Sequence, residues 1–245
     1  MSALPKIRLH VDAPLGAGQC VALTEAQAHY LFGVMRQGAG AEVSLINSRD
    51  GEWRAVVREA AKRRGTLECL DQTAPLRLPP DVWLLFAPLK KTRTDFIVEK
   101  AAELGVRRIL PVSTDFTGAD RVNRDRLQAH AVEAAEQCGG TYVPEVAPLT
   151  PLRRALQDWD PTRRLMWCDE ALATASKAAG LDALTPGTPW AILTGPEGGF
   201  SEAERGWLAG LPFTLPVRLG PRVLRADTAA VAALTLWQLH CGDWR

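Results

Sequence analysis

The chain predicts a small β-barrel followed by an α/β domain built on a parallel sheet. Three observations carry that expectation. Pro75, Pro79 and Pro80 cluster at a seam that divides the 245 residues into two differently patterned regions. Before the seam, short strands dominate; after it, apolar strands alternate with helical stretches, the pattern of a parallel sheet. Near the C-terminus, two glycine-rich stretches (193–200 and 219–229) each follow an apolar run and precede helical spacing. Proline fixes the backbone and removes a donor, so three in six residues suit a domain edge. The boundary is drawn at 1–74 and 75–245.

Bulk properties narrow the function. Hydrophobic residues make up 47% and charged residues 23%, the composition of an ordinary globular protein. The formal net charge is +1, which favours neither nucleic acid nor an anionic membrane as a whole-chain partner, although a local arginine patch can hide in a neutral sum. The five cysteines and four histidines are scattered, without zinc spacing or a disulfide framework. No signal-peptide pattern and no apolar run of membrane-spanning length are evident. The expectation is a cytoplasmic protein with no metal and no membrane.

In the first region, Ile7–Val11 alternates apolar and polar residues as a half-buried strand does. Glu42–Ile46 and Trp53–Val57 are two more strands, joined by a 47–51 loop that ends in Gly51. Thr66–Leu70 is a fourth. Thr24 is a candidate N-cap for a helix running to Met35, with His29 packed into the barrel.

In the second region, Val82–Ala87 is a continuous apolar run, the mark of a strand covered on both faces. A helix from about Thr94 to Leu104 stops at Gly105. Strand Arg108–Val112, helix Asn123–Gln137, strand Tyr142–Val146, helix Leu152–Asp158 and strand Arg164–Cys168 follow. Trp190–Leu193 and Leu215–Leu219 are the last strands. The final helix, about Thr228–His240, places Ala230, Ala233, Leu234, Trp237 and Cys241 on one face, which reads as core or as a dimer face.

The two glycine stretches carry the chemistry. Gly195, Gly198 and Gly199 let a ligand approach the backbone, and Ser201 with Glu204 forms a capping box for the helix that follows. Ligands of open α/β sheets sit at the carboxyl ends of strands, where this loop begins. Neither a P-loop nor a GxGxxG fingerprint is present, so the loop is a main-chain grip for an adenosyl group or a plain glycine turn. In the second stretch, Gly220-Pro221 breaks a strand, and Arg222 and Arg225 follow beside its end. Arginines so placed hold an anion or a base edge, or simply face water. Asp227 and Thr228 offer an N-cap for the last helix.

LTGPEGGFSEAE (193–204) and LGPRVLRADTAA (219–230) resemble the two signature loops of the RsmE-like methyltransferases of the SPOUT superfamily. KAAELGV (100–106), EAAEQ (133–137) and, less closely, AHYLFGVMR (28–36) resemble further elements of that family, so the likeness spans nearly the whole chain in order. The chain departs from the family pattern at Asp227, where the family carries Glu, at Cys138-Gly139-Gly140, where its arginine is missing, and at Tyr30 and Ala41.

The resemblance implies a SPOUT α/β domain with a deep trefoil knot, an exception to the rule against knots, preceded by a PUA-like barrel. It implies an S-adenosylmethionine-dependent enzyme that methylates N3 of a uridine in 16S ribosomal RNA of the small subunit, acting as a homodimer. Three loops would cradle the cofactor: one after strand 164–168, one at 194–199 and one at 219–225. The cofactor positions fall on Leu193, Thr194, Gly195, Pro196, Glu197, Gly198, Leu219, Gly220 and Leu224. Arg225 and Asp227 are the catalytic candidates, and Arg8, Arg36, Arg124 and Arg222 the candidates for RNA contact. Two alternatives stay open: ribose 2′-O-methylation, and a non-catalytic ribosome-assembly protein that binds RNA.

Overall fold

The computed structural model describes residues 5–174 and 180–244. The chain falls into two compact units, one formed by the chain through Leu78 with Ala135–Val143, the other by Pro79–Ala134 with the chain from Pro144 onward.

The first unit holds β1 (Arg8–His10), β2 (Cys20–Ala22), β3 (Glu42–Ile46), β4 (Glu52–Ala61) and β5 (Arg64–Ala74). The ladder runs β1–β3–β4–β5–β2; β1 joins β3 in parallel and the other pairs are antiparallel. Every strand contributes to one core, through Leu9, Val21, Leu45, Val57 and Leu67 among others. At the β3–β4 turn Gly51 has φ 79°, and a side chain there would strike the Ala74 carbonyl. Both facts demand glycine.

Thr24 caps its helix as expected, and Gln27 closes a capping box with it, but the helix after it changes character. α1 (Glu25–Ala28) passes into a π-helix at His29–Val34. A Cβ on Gly33 would come 3.1 Å from His29 Nδ1, so glycine lets the His29 ring lie against that turn. His29 is exposed, not packed in the barrel as its sequence context predicts. Arg8 is nearly enclosed: it donates to the carbonyls of Ala135, Glu136 and Gly140 at 2.8, 3.0 and 2.8 Å, and to Glu52 at 3.1 Å. That arginine ties Ala135–Val143 into the first unit.

The second unit alternates strands and helices: β6 (Val82–Phe86), α2 (Lys91–Glu103), β7 (Arg108–Ser113), α3 (Arg124–Cys138), β8 (Glu145–Val146), β9 (Thr150–Pro151) and α4 (Leu152–Ala155). The run continues with β10 (Arg164–Cys168), β11 (Trp190–Thr194), α5 (Glu202–Ala209), β12 (Thr214–Val217) and α6 (Ala226–Cys241). The sheet order is β12–β10–β11–β6–β7–β8, parallel throughout, with β9 pairing β7. β11 is buried at all five positions, because it lies mid-sheet.

The register decides where a site forms. Cys168, the last residue of β10, pairs with Thr194 of β11 on one side and Val217 of β12 on the other. The loops that begin after these three residues therefore leave the sheet side by side. α6 buries Ala230, Ala233, Leu234, Trp237 and Cys241, the face read from the sequence.

Candidate active site

The three neighbouring strand ends open onto a cavity of about 260 Å³. The end of β11 and the loop after it contribute Thr194, Gly195, Pro196, Glu197 and Gly199; the loop after β12 contributes Leu219, Gly220, Arg222, Val223, Leu224 and Arg225. The third wall comes from the end of β10 and the segment after it: Cys168, Asp169, Glu170 and Ala173. Val217, Ala226 and Ala229 complete the lining.

Each loop is held by bonds that its residue types dictate. Ser201 caps α5: its hydroxyl accepts from the Glu204 amide at 3.1 Å, and Glu204 returns by accepting from the Ser201 amide at 3.1 Å. The glycine loop is thus anchored at a helix start. Gly199 has φ 69°, and a side chain there would collide with the Glu170 carboxylate. That carboxylate accepts from the Phe200 amide at 3.2 Å and from Arg205 Nη2 at 2.8 Å. Arg205 also faces Asp169, Nε to Oδ1 3.4 Å. One α5 arginine therefore links the wall after β10 to the loop after β11. Gly220 has φ 137°, with open space where a side chain would point.

Burial raises the Asp169 carboxyl above its usual range, against the opposing pull of Arg205 beside it. Burial pushes the Cys168 thiol up to about 12. It stays protonated at neutral pH and is no nucleophile, so it can stand beside an electrophile without reacting.

The cofactor candidates Thr194, Gly195, Pro196, Glu197, Leu219, Gly220 and Leu224 meet at this cavity, and Arg222 and Arg225 join them. Leu193 and Gly198 lie outside the lining. Leu193 is fully buried in the core with Leu85 and Trp167. A Cβ on Gly198 would come 3.1 Å from Phe116. Arg225 is exposed and is itself the N-cap of α6, in extended backbone at φ −62° and ψ 151°; the helix starts at Ala226, not at the expected Thr228. Asp227 sits in the first turn, where its carboxylate accepts from the Thr228 amide at 2.9 Å and faces Arg93 at 3.6 Å. Arg124 donates through Nε to the Val146 carbonyl at 2.8 Å. Arg36 is exposed at φ 53°. Sequence reasoning placed a loop after 164–168 but named none of its residues; Asp169, Glu170 and Ala173 carry no pattern that marks them.

Comparison with known proteins bears on this crevice. A family model described as an RNA methyltransferase domain matches residues 76–238, and one described as an RNA methyltransferase PUA domain matches 23–68. The ribosomal RNA small subunit methyltransferase E of Synechocystis sp. is 32% identical across 87% of this chain and 71% of its own length. Its Bacillus subtilis counterpart is 29% identical across 87% of each. The crystal structure of the Neisseria gonorrhoeae counterpart, bound to S-adenosyl methionine, matches 99% of this chain and 100% of its own at 27% identity and a TM-score of 0.85. A Legionella pneumophila structure with bound cofactor SAM matches 97% and 98% at the same identity and TM-score.

The parallel sheet with its strand-end crevice lies within the stretch that matches the methyltransferase domain, and the two family matches together define the class of this protein as an RNA methyltransferase. The chain belongs to the ribosomal RNA small subunit methyltransferase E family.

Proposed function

We propose that this protein transfers a methyl group from S-adenosylmethionine to N3 of a uridine in small-subunit 16S ribosomal RNA. The observation that carries the reading is the convergence of three strand-end loops on one cavity, in a chain whose relatives hold that cofactor. The residues fit the group. Glycines 195, 199 and 220 expose main chain, Ala173, Val217, Leu224 and Ala229 offer apolar wall, and Asp169 and Glu197 offer negative charge. When bound, the cofactor supplies an electrophilic methyl group on a positively charged sulfur.

The protein's own residues supply the rest. Uracil N3 carries a proton and is a weak nucleophile, so the base becomes reactive as that proton leaves. A fixed cation at O2 or O4 stabilises the resulting anion. Arg225 lines the cavity, is exposed and makes no ion pair among the described residues, so it is free for this role. Asp227, two residues on, is the candidate acceptor of the N3 proton. The remaining catalytic contribution is alignment: the loops hold donor and acceptor in line.

The reading includes a homodimer, supported by exposed apolar residues around α6: Val223, Leu239 and Trp244 are 68, 50 and 48% exposed. It includes the knotted threading implied by the family likeness, supported by the β12–β10–β11 neighbourhood. A cytoplasmic setting follows from a ribosomal substrate, and no helix among the described residues is long and apolar enough to cross a membrane. Arg222, Arg124 and Arg36 remain candidates for phosphate contact. Arg8 is left out, because its head is already occupied by carbonyls and Glu52.

The test is methyl transfer from tritiated cofactor to small ribosomal subunits, with mass spectrometry of the methylated nucleoside. Arg225→Ala is expected to lower kcat about 10²–10³-fold with cofactor affinity unchanged. Methylation found on the ribose would establish the 2′-O reaction instead, and absence of cofactor binding by calorimetry would leave only an RNA-binding role.

A further inference from the structure

A second cavity, of about 850 Å³, lies in the same unit and shares Glu197 with the first. Four cations line it, Lys90, Lys91, Arg121 and Arg126, against Glu197 as its one carboxylate. Arg126 is fixed by Asp95, Nη1 to Oδ2 2.6 Å. Lys90, Lys91 and Arg121 make no ion pair among the described residues and are exposed. The wall that carries the lysines is itself held: the buried hydroxyl of Thr94 bonds the Leu89 amide and carbonyl, both at 2.9 Å. Like charges gathered on a built wall repel one another, and the repulsion is relieved by an anion in the space they surround. The first turn of α2 adds to this, since it carries Lys91 and Arg93 and no acidic residue, at the end of a helix that favours negative charge.

An aromatic side chain stands at the same boundary. Phe116 is 53% exposed and lies against Gly198, the neighbour of Glu197 in the chain. Gly118 and Ala119, just beyond it, line the basic cavity. The turn that presents Phe116 is pinned on both sides. The Asp115 amide donates to Glu204 at 2.9 Å, and the Asp115 carboxylate accepts from the Ser201 hydroxyl at 2.5 Å. Thr117 Oγ1 accepts from the Thr114 amide at 2.8 Å. A half-exposed ring on a pinned turn offers a flat apolar face to a partner at little ordering cost.

Arg93 joins the two cavities. It faces Glu197 at 3.5 Å and Asp227 at 3.6 Å, and so holds the shared wall to the first turn of α6.

Building on the reading above, we propose that the basic cavity seats the target ribonucleotide: its phosphates lie among Lys90, Lys91 and Arg121, and its splayed base stacks on Phe116 beside the cofactor crevice. A base taken out of a stack needs an aromatic face to replace its lost neighbours, and its backbone needs cations. Both are present here, next to the cofactor crevice. The volume suits a nucleotide with its flanking phosphates.

Full-length variants, tested on small ribosomal subunits with tritiated cofactor, decide the matter. Lys91→Gln and Arg121→Gln are each expected to raise KM for the subunit about fivefold, with kcat within twofold and a shallower dependence of KM on salt. Phe116→Ala is expected to lower kcat/KM at least about fivefold, and Phe116→Trp to retain it where Phe116→Leu does not. Arg154→Gln, an exposed position on α4, serves as the control and stays at the wild-type value. Cofactor affinity by calorimetry is unchanged in all of them. Subunits reconstituted with 5-iodouridine RNA and irradiated are expected to crosslink to the tryptic peptide Ile109–Arg121. Wild-type kinetics in Lys91→Gln, Arg121→Gln and Phe116→Ala alike, equal activity of Phe116→Leu and Phe116→Trp, or crosslinks confined to other peptides would overturn the assignment. If the wild-type protein itself methylates no subunit, the failure belongs to the proposed function and not to this cavity.

Discussion

Gly195 lies where the cofactor loop meets the core, and adding one methyl group there tests whether the two are mechanically linked. A Cβ at Gly195 would sit 2.9 Å from Phe200 Cε2 and 3.1 Å from Cζ. Comfortable carbon contacts begin near 3.5 Å, so ring and loop must separate by about 0.6 Å. The ring has little freedom to yield. Phe200 is 2% exposed, meets Trp167 edge-on at 5.8 Å, and packs in the cluster that holds Leu85 and Leu193. Overpacking of this kind costs about 1–3 kcal/mol. At roughly 2–4 °C per kcal/mol for a unit of this size, Gly195→Ala is expected to melt several degrees early. The displacement that the core refuses passes to the loop, whose main chain lines the cavity, so S-adenosylmethionine affinity by calorimetry is expected to fall about tenfold, ~1.4 kcal/mol. Phe200→Leu removes the ring atoms that collide. The double variant should therefore recover at least about 1 kcal/mol over the sum of the two single changes. Wild-type melting and affinity in Gly195→Ala, or strict additivity in the double variant, would refute the linkage.

Three further outcomes follow from single environments. Arg163, buried just before β10, bonds both carboxylate oxygens of Asp81 and the Trp190 carbonyl at 3.0 Å and lies 3.8 Å over the Trp83 ring; Arg163→Ala is expected to cost about 2–3 kcal/mol in urea unfolding, because it removes those charged hydrogen bonds and that packing. Asp50 accepts from Asn47 Nδ2 at 2.7 Å and the Leu15 amide at 2.9 Å, bonds that, with Arg49, hold its carboxyl down to about 2. A depressed acid stabilises the fold above its unfolded value near 4 and loses that contribution as pH falls toward 2, so Asp50→Asn should lower stability at pH 7 and flatten its dependence between pH 4 and 2 in acid titrations followed by circular dichroism. Iodoacetamide at pH 8 is expected to label exposed Cys20 and Cys138 well before Cys168, whose thiol is raised to about 12, as read by peptide mass spectrometry; equal labelling would contradict its burial.

Much of the framework was legible because the residues concerned answer to local rules. β3 and β10 fall where their apolar patterns put them, Thr24 caps its helix and the Ser201 capping box closes as their sequence contexts predict, and the buried face of α6 follows helical spacing. The departures have a common cause, since each is set by something distant in sequence. β2 is a three-residue strand with one buried side chain, and only pairing with β5 defines it. β4 and β5 run past their apolar centres into exposed residues because the ladder continues between them. Arg8 reads as a surface cation until residues from 135 to 140 supply carbonyls to its head. At α6 the helix starts at Ala226 because the backbone of Arg225, not an Asp or Thr side chain, makes the turn.

The same distinction separates what the candidate site reveals in sequence from what it hides. Glycine loops announce themselves, because main-chain approach and positive φ restrict the residue type. The wall after β10 does not, because its contribution is burial: Cys168 and Asp169 are conditioned by what surrounds them and not by their neighbours in the chain. Phe116 lies at the far end of this scale. A phenylalanine between Asp115 and Thr117 has the look of any loop residue, and its place beside Gly198 comes from Asp115 being tied to Ser201 and Glu204, over eighty residues away. The capping box that sequence reading assigns to helix initiation is therefore also the anchor of a second loop. A substitution at Ser201 would act on both: Ser201→Ala removes the cap of α5 and frees the turn that holds Phe116, so it should impair RNA methylation by more than its effect on cofactor binding alone.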